Sequence, residues 1–425
     1  MNVLERDFFT DPDILQDPLP YYRALHERGP VWREPHKGVF MVSGLDELLE
    51  IYRDHARFSA IVGPLGPLVD VPQPDEGESW AEVVARRRHE MPLGDQLMSM
   101  DPPEHTRHRA LAGKLFTPRR LQENEEFIWA LADELIDEFE GRGEVEFGAA
   151  YARPFTLLVI ADLLGVPRED HDTFRGWLGG QAGTVGDPEG RHVGDQVFAN
   201  LHPYFTRYIE ERRASPRDDV MSRLATVQFP DGALPGVDDV VRLASVLFAA
   251  GQETTARLLC AGMRVLCEQP ALAEELRGDP GAIPNFVEEC LRLEGPIKGS
   301  FRLALCDTSI AGVRVPAGSI LMAVIGAANR DPRVFEDPDR FDAKRANARR
   351  NVAFGHGEHF CPGASLARTE ARISFERLLA RLDGLRLLDP GSLSYLETFI
   401  IRGLNDLPMR LRRRSGRAAA LPAGP

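Results

Sequence analysis

Phe354-Gly355-His356-Gly357-Glu358-His359-Phe360-Cys361-Pro362-Gly363-Ala364-Ser365-Leu366-Ala367-Arg368 is the stretch on which the fold turns. A glycine-rich loop runs into Cys-Pro-Gly and then into a segment with helical apolar spacing, so the cysteine stands where a helix begins. Pro362 suits a first helical turn because it has no amide to leave unpaired. The helix dipole favours a thiolate at that end. Gly355, Gly357 and Gly363 let the backbone approach a flat ligand closely and aim amides at the sulfur. The other four cysteines, Cys260, Cys267, Cys290 and Cys306, read as small buried hydrophobes. None makes a CxxC pair, so neither a disulfide framework nor a zinc site is expected.

Outward from that loop, helical periodicity dominates. Apolar residues recur at three- and four-residue spacing over 20–27, 80–89, 103–115, 124–140, 155–164, 196–213, 238–268, 271–277, 284–293 and 363–382. Strand-like alternation is confined to short pairs, 31–34 with 39–42 and 306–310 with 312–315. The expected class is therefore mainly α with a small β-rich region. No Gly/Ser linker divides the 425 residues, which points to a single catalytic domain over 1–411 with sheet-rich parts near 28–60, 300–325 and 385–411. Residues 412–425 are expected to form a disordered tail. The irregular segment 60–100 is too apolar to be a purely solvated loop.

Composition narrows the function classes. A 43% apolar and 27% charged chain folds as a globular protein. The formal net charge of −14 argues against nucleic acid as partner. No window approaches the roughly 18–20 apolar residues of a membrane span, and the acidic amino terminus lacks the pattern of an export signal. No membrane anchor and a cytoplasmic location are the expectation.

The cysteine loop resembles that of the cytochrome P450 family, matching Phe-Gly-x-Gly-x-His-x-Cys-x-Gly at every fixed position. The resemblance implies a P450 fold, with haem b (iron protoporphyrin IX) between the long central helix 238–268 and the cysteine-loop helix, and Cys361 as the metal ligand. It implies further parts, found in order along the chain. His105 and Arg109, four apart on one helix face, match one propionate-binding pair, and Arg302 and His359 match the other side; carboxylates of this kind call for cations. Phe354, Ala250 and Gly251 are the remaining cofactor contacts implied. Glu289 and Arg292 lie three apart on one helix face, and Arg340 in Phe335-Glu336-Asp337-Pro338-Asp339-Arg340-Phe341 resembles the segment that supplies a second arginine. Those three form the implied structural network.

The central stretch would span about 46 Å as a helix. Ala249-Ala250-Gly251-Gln252-Glu253-Thr254-Thr255 interrupts its good helix formers with glycine and two threonines. It resembles the family's oxygen-binding segment, with Glu253 and Thr254 as catalytic acid–alcohol pair delivering protons and a local break giving room for O2.

The reaction implied is monooxygenation of a lipophilic small molecule such as a terpenoid, fatty acid, steroid or polyketide. The substrate lining implied runs over 60–100, 177–185, 247–250, 297–300 and 398–400, with Leu247, Ile297 and Phe399 as named candidates. Lys298 is expected to point to solvent. Electrons would come from a ferredoxin-type donor with its reductase, docking on Arg107, Lys114, Arg119, Arg120, Arg349 and Arg350. A haem-binding sensor or a peroxide-driven oxygenase is the competing class, and the Glu253–Thr254 pair argues against both.

Overall fold

The longest periodic stretch of the sequence becomes the longest helix. In the computed structural model, which describes residues 2–178 and 194–414, Val237–Glu268 form one continuous helix of 32 residues. Asp238 and Asp239 occupy its first turn, where the helix dipole favours anions, and Asp239 accepts a hydrogen bond from the Gly236 amide at 3.1 Å. Pro270 opens the next helix. The break expected near Gly251 does not occur. Thr254 satisfies its hydroxyl inside the helix by donating to the Ala250 carbonyl at 2.9 Å. The local perturbation is lateral: the Gln252 carbonyl accepts from Thr156 Oγ1 at 2.6 Å, on the neighbouring helix Arg153–Leu164.

The helical patterns of the sequence become helices within one to three residues at most ends. The exception is 124–140, which begins six residues earlier as Pro118–Phe139 because Thr117 caps it, accepting from the Arg120 amide at 3.3 Å. The cysteine-loop helix is Ala364–Arg381. It packs on the central helix at Gly262, where a Cβ would run into the Phe375 ring. That glycine lets the two long helices approach closely enough to enclose a thin ligand towards one end.

Among the described residues ten short strands accompany the helices: β1 (Val31–Arg33), β2 (Phe40–Val42), β3 (Phe58–Ser59), β4 (Glu144–Glu146), β5 (Ser300–Ala304), β6 (Thr308–Ile310), β7 (Val313–Val315), β8 (Ile320–Ala323), β9 (Leu382–Leu387) and β10 (Pro408–Arg413). The mainly α class with a small β-rich part holds. Five of the strands form a sheet in the order β1-β2-β8-β5-β3, with β2 and β8 parallel and the other pairs antiparallel. Alternation along β5 sends Phe301 and Leu303 into the amino-terminal core and puts Ser300 and Arg302 on the opposite face. There Ser300 Oγ lies 2.8 Å from Tyr52 Oη, and the Arg302 guanidinium lies 4.9 Å from the Tyr52 ring centroid. The segment from Ala60 buries Ile61, Val62, Leu65, Val69 and Val71 against that core, and Phe301 N donates to Gly63 O at 3.0 Å.

Two expectations on the chain's periphery need correction. Arg412 and Arg413 belong to β10, paired with Asp383 and Leu382, so ordered structure passes the expected boundary at 411. Cys306 is exposed, because it sits in the bend between β5 and β6. Residues 415–425 of the expected tail lie outside the described residues.

Filling the Gly262 contact should force the two helices apart. Gly262→Val is expected to destabilise the protein by about 1–3 kcal/mol, read as a lowered thermal midpoint.

Candidate functional site

The cysteine loop closes on itself before the helix begins. The Cys361 amide donates to the Phe354 carbonyl at 2.9 Å, and the Phe354 and Phe360 rings meet edge-on at 6.5 Å. Gly355 and Gly357 have φ of +69° and +70°, a region that strains other residues. At Gly357 a Cβ would also meet the Tyr52 carbonyl at 2.6 Å. Pro362 and Gly363 form the turn before the helix and do not lie within it. The Gly363 amide is thereby left for the Cys361 sulfur. Burial pushes the Cys361 thiol up, while that amide, Arg109 and Arg368 pull it down. A metal cation on the sulfur would reverse the balance and deprotonate it.

Beside the sulfur, four groups from three elements converge. His105 and Arg109 come from helix Glu104–Leu115, Arg302 from β5 and His359 from the loop. The His105 and His359 rings stack with centroids 4.0 Å apart. Arg109 Nη2 donates to the Phe360 carbonyl at 2.7 Å, and Arg302 Nη1 to its neighbour Phe301 at 2.7 Å. His105 Nδ1 and His359 Nε2 are buried with no hydrogen-bond partner among the described residues. Burial, with Arg109 and Arg302 next, pushes the His105 pKa down to about 4. His359 falls to about 2 through burial, Arg302, His105 and Arg109. The acid near this cluster, Asp101, is occupied by Ser59 Oγ and by the Ala60 amide at 2.8 Å. Orphaned ring nitrogens beside two guanidiniums are a pocket for anions, and the two propionates of haem fit that demand.

The brace beneath the loop is built on two successive acids. Glu289 accepts from Arg292 Nε and Nη2 at 2.8 and 2.7 Å, both side chains fully buried. Its second guanidinium is that of Arg345, at 3.0 Å, and the Asp342 amide donates at 3.0 Å. Arg340 is not that partner. Its side chain is 66% exposed beside Asp337 and Asp342, and only its carbonyl joins, accepting from Arg292 and Arg345 at 3.2 and 3.0 Å. The turn at Asp337, where φ is +42°, points Arg340 outward and returns the chain so that Arg345 faces in. Glu288 holds the loop from its other side: it accepts from Arg368 Nε at 2.7 Å and from Asn351 Nδ2 at 3.0 Å. The adjacent acids Glu288-Glu289 in an otherwise apolar helix were the sequence signal for this second tie.

On the central helix, Glu253 does not face Thr254. Its Oε1 accepts from Arg257 Nη2 at 2.8 Å, one turn on, and Arg257 Nη1 is held by the Leu404 carbonyl at 2.6 Å. A Cβ on Gly251 would meet Ile160 at 3.1 Å, so this glycine serves contact between helices. Ala250 is exposed. The next threonine, Thr255, lies beside Glu370 of the cysteine-loop helix, whose Oε2 is buried with no hydrogen-bond partner among the described residues. Burial holds the Glu370 carboxyl well above the carboxylate range, which favours its uncharged form. Glu370 lies on the apolar stripe Leu366–Glu370–Ile373, the pattern that marks an acid facing inward.

Of the lining candidates, Leu247 is buried and Ile297 half-buried. Phe399 packs edge-on against Phe9 and Phe301 at 5.3 and 5.9 Å, inside the amino-terminal core. Residues 179–185 lie outside the described residues. Lys298 does not reach solvent. It is 2% exposed, and its Nζ donates to the Leu15 and Thr398 carbonyls at 2.8 and 2.7 Å. Among the docking candidates Arg120 is spent on Asp162 at 3.0 Å with 13% of its side chain exposed. Arg119 pairs with Glu123, Arg107 with Asp231, and Lys114 donates to the Gln228 carbonyl. Arg349 and Arg350 are exposed.

A loop that presents one half-buried cysteine to an anion-hungry pocket between two long helices defines a haem-thiolate architecture, and comparison with known proteins agrees. The family model for Cytochrome P450 matches residues 283–385. The chain is 34% identical to Cytochrome P450 107B1 of Saccharopolyspora erythraea over 94% of this chain and 98% of that protein. It is 33% identical to the Vitamin D(3) 25-hydroxylase of Pseudonocardia autotrophica, covering 97% and 98% of the two chains. The substrate-free structure of Mycobacterium marinum cytochrome P450 CYP150A6 superposes with a TM-score of 0.90 at 44% identity, covering 97% and 100%. The chain belongs to the cytochrome P450 family. It is a P450 monooxygenase with a haem-iron cofactor.

The brace separates the two arginines sharply. Arg345→Met is expected to cost about 3–5 kcal/mol by leaving Glu289 under-compensated. Arg340→Ala should stay within about 0.5 kcal/mol. Denaturant melts of the two variants check this.

Proposed function

We propose that the enzyme inserts one oxygen atom from O2 into a lipophilic small molecule, with Cys361 ligating the iron of haem b. The observation that carries this reading is the convergence on one loop of an amide-bonded cysteine with two guanidiniums and two orphaned imidazole nitrogens. When bound, a haem held by thiolate supplies activated oxygen, because thiolate donation favours O–O cleavage.

The chain's own residues then have distinct tasks. His105, Arg109, Arg302 and His359 receive the propionates, whose negative charge would offset the burial and the guanidiniums that drive protons off both imidazoles. Phe354 packs below the loop, held by the Arg368 guanidinium 4.6 Å from its ring centroid. Glu289 with Arg292, and Arg345 in the place expected for Arg340, fix the segment that leads into the loop. Ala250 and Gly251 form the helix wall. Thr254 holds a proton on Oγ1, now shared with the Ala250 carbonyl, and turning that hydroxyl inward makes it a donor. Glu253 resupplies protons when Arg257 releases its Oε1.

The substrate side is set by Leu247 and Ile297, apolar groups that favour a steroid, terpenoid, fatty acid or polyketide. The 33% identity to a protein named for vitamin D(3) supports the same class. Electrons come from a ferredoxin-type donor that meets exposed Arg349 and Arg350, which directly precede the cysteine loop. None of the described helices is long and apolar enough to cross a membrane, and we place the enzyme in the cytoplasm with that donor.

Cys361→Ala is expected to abolish the thiolate-specific band of the reduced carbonyl complex; an unchanged spectrum would remove the ligand assignment. Thr254→Ala should retain haem yet divert reducing equivalents to peroxide. Its product yield per reductant should drop several-fold, measured beside peroxide release.

A further inference from the structure

Away from the cysteine, a small cavity of about 20 Å³ lies between the helix Leu19–Arg28, the turn at Gly295–Lys298 and the segment Ile325–Arg330. Such a volume holds one water-sized body. Four cations line it, Arg292, Lys298, Arg330 and Arg402, and no carboxylate does. Arg292 is compensated by Glu289. Lys298 and Arg402 have no ion pair among the described residues, and Arg330 has only a longer one, 3.4 Å from Asp339.

Lys298 spends two of its three donors on neutral carbonyls, Leu15 and Thr398, and burial, with Arg402 next, pushes its pKa down to about 7, so that an anion beside it would hold the amine protonated. Arg330 is 7% exposed; its Nη atoms donate to Gly326 and Leu293 carbonyls at 3.0 and 2.6 Å. Its Nε makes no hydrogen bond. Two acids act on it: Glu294, already paired with Arg264 at 3.0 Å, and Asp339, 3.4 Å away and hydrogen-bonded by Arg23 at 2.7 Å. Arg402 donates to the Gln16 carbonyl at 2.6 Å and stacks 3.5 Å from the Tyr395 ring centroid. Carbonyl dipoles and a ring face soften these charges without neutralising them. Buried cations left in this state are costly, and a counter-ion in the shared space offsets that cost.

We propose that this cavity binds a chloride-sized anion, held by Lys298, Arg330 and Arg402. The small volume favours a monatomic anion over phosphate or a carboxylate ligand, and with no acid lining it among the described residues the site does not suit a metal cation. The location gives the ion a structural task. The Lys298 amide donates to the Ile400 carbonyl at 2.7 Å, and the Lys298 carbonyl accepts from the Gly326 amide at 3.1 Å. An anion here ties the turn before β5 to the 398–401 segment and to the amino-terminal helix, independently of the haem chemistry.

The test uses the holoprotein in gluconate buffer, with chloride or bromide substituted at constant ionic strength. Chloride should raise the melting temperature by about 1–3 °C and broaden the chloride-35 NMR line. Both effects should be lost in Lys298→Met and weakened in Arg402→Gln, and kept in the surface control Lys37→Met. Crystals grown with bromide should show anomalous density between Lys298 Nζ and Arg402. Equal melting temperatures and line widths in the two salts, or a site without anomalous signal, would make the occupant a water and overturn the proposal. Because the bromide readout uses the unmodified protein, it decides the question even if Lys298→Met fails to fold.

Discussion

Everything around the cysteine rests on one buried carboxylate, Glu289. Two guanidiniums and a backbone amide meet on it, so a charge taken out of water is compensated from three sides. Through Arg292 and Arg345 the carboxylate also reaches the Asn329, Glu336, Asp337, Pro338 and Arg340 carbonyls. The irregular chain before the cysteine loop has little regular backbone pairing of its own, and these bonds give it one conformation. Glu288, the preceding residue, fixes the far side of the same loop. One turn of helix thus sets where the sulfur stands.

The second constraint is the unbalanced positive charge beside that sulfur. Folding has left two imidazole nitrogens without partners and pushed both rings towards the neutral state. A site so arranged is complete only when anionic groups enter it. The protein as a whole carries excess negative charge, so this pocket is a local inversion of the molecule's field.

Much of this was legible in the sequence because it depends on short-range rules. Helical periodicity marks the central and cysteine-loop helices, whose apolar faces stay in register over many turns. The loop reads well because glycines at φ near +70° and an amide aimed at sulfur are properties of neighbouring residues. His105 and Arg109, one turn apart, come together for the same reason. What failed depends on where a side chain turns after an irregular bend. Arg340 and Arg345 are both arginines after the same Asp-Pro segment, and only the turn at Asp337 decides which one faces Glu289. Lys298 was misjudged because a lysine amine can be buried wherever carbonyls surround it, and those of Leu15 and Thr398 lie far away in sequence. Glu253 turns away from Thr254 because Arg257 holds it along the same helix, a pairing visible in the spacing but not in its outcome.

Glu370 sits beside Thr255 where the two helices that flank the cofactor site meet, and burial favours the uncharged form of its carboxyl. Ionic ties elsewhere on the surface weaken as dissolved salt shortens the reach of charge to about 10 Å or less. An uncharged acid buried between two helices has no such sensitivity. The spacing of the walls around the cofactor is therefore insulated from the ionic strength of the medium, while the exposed faces, where an electron donor must land and leave, stay responsive to it.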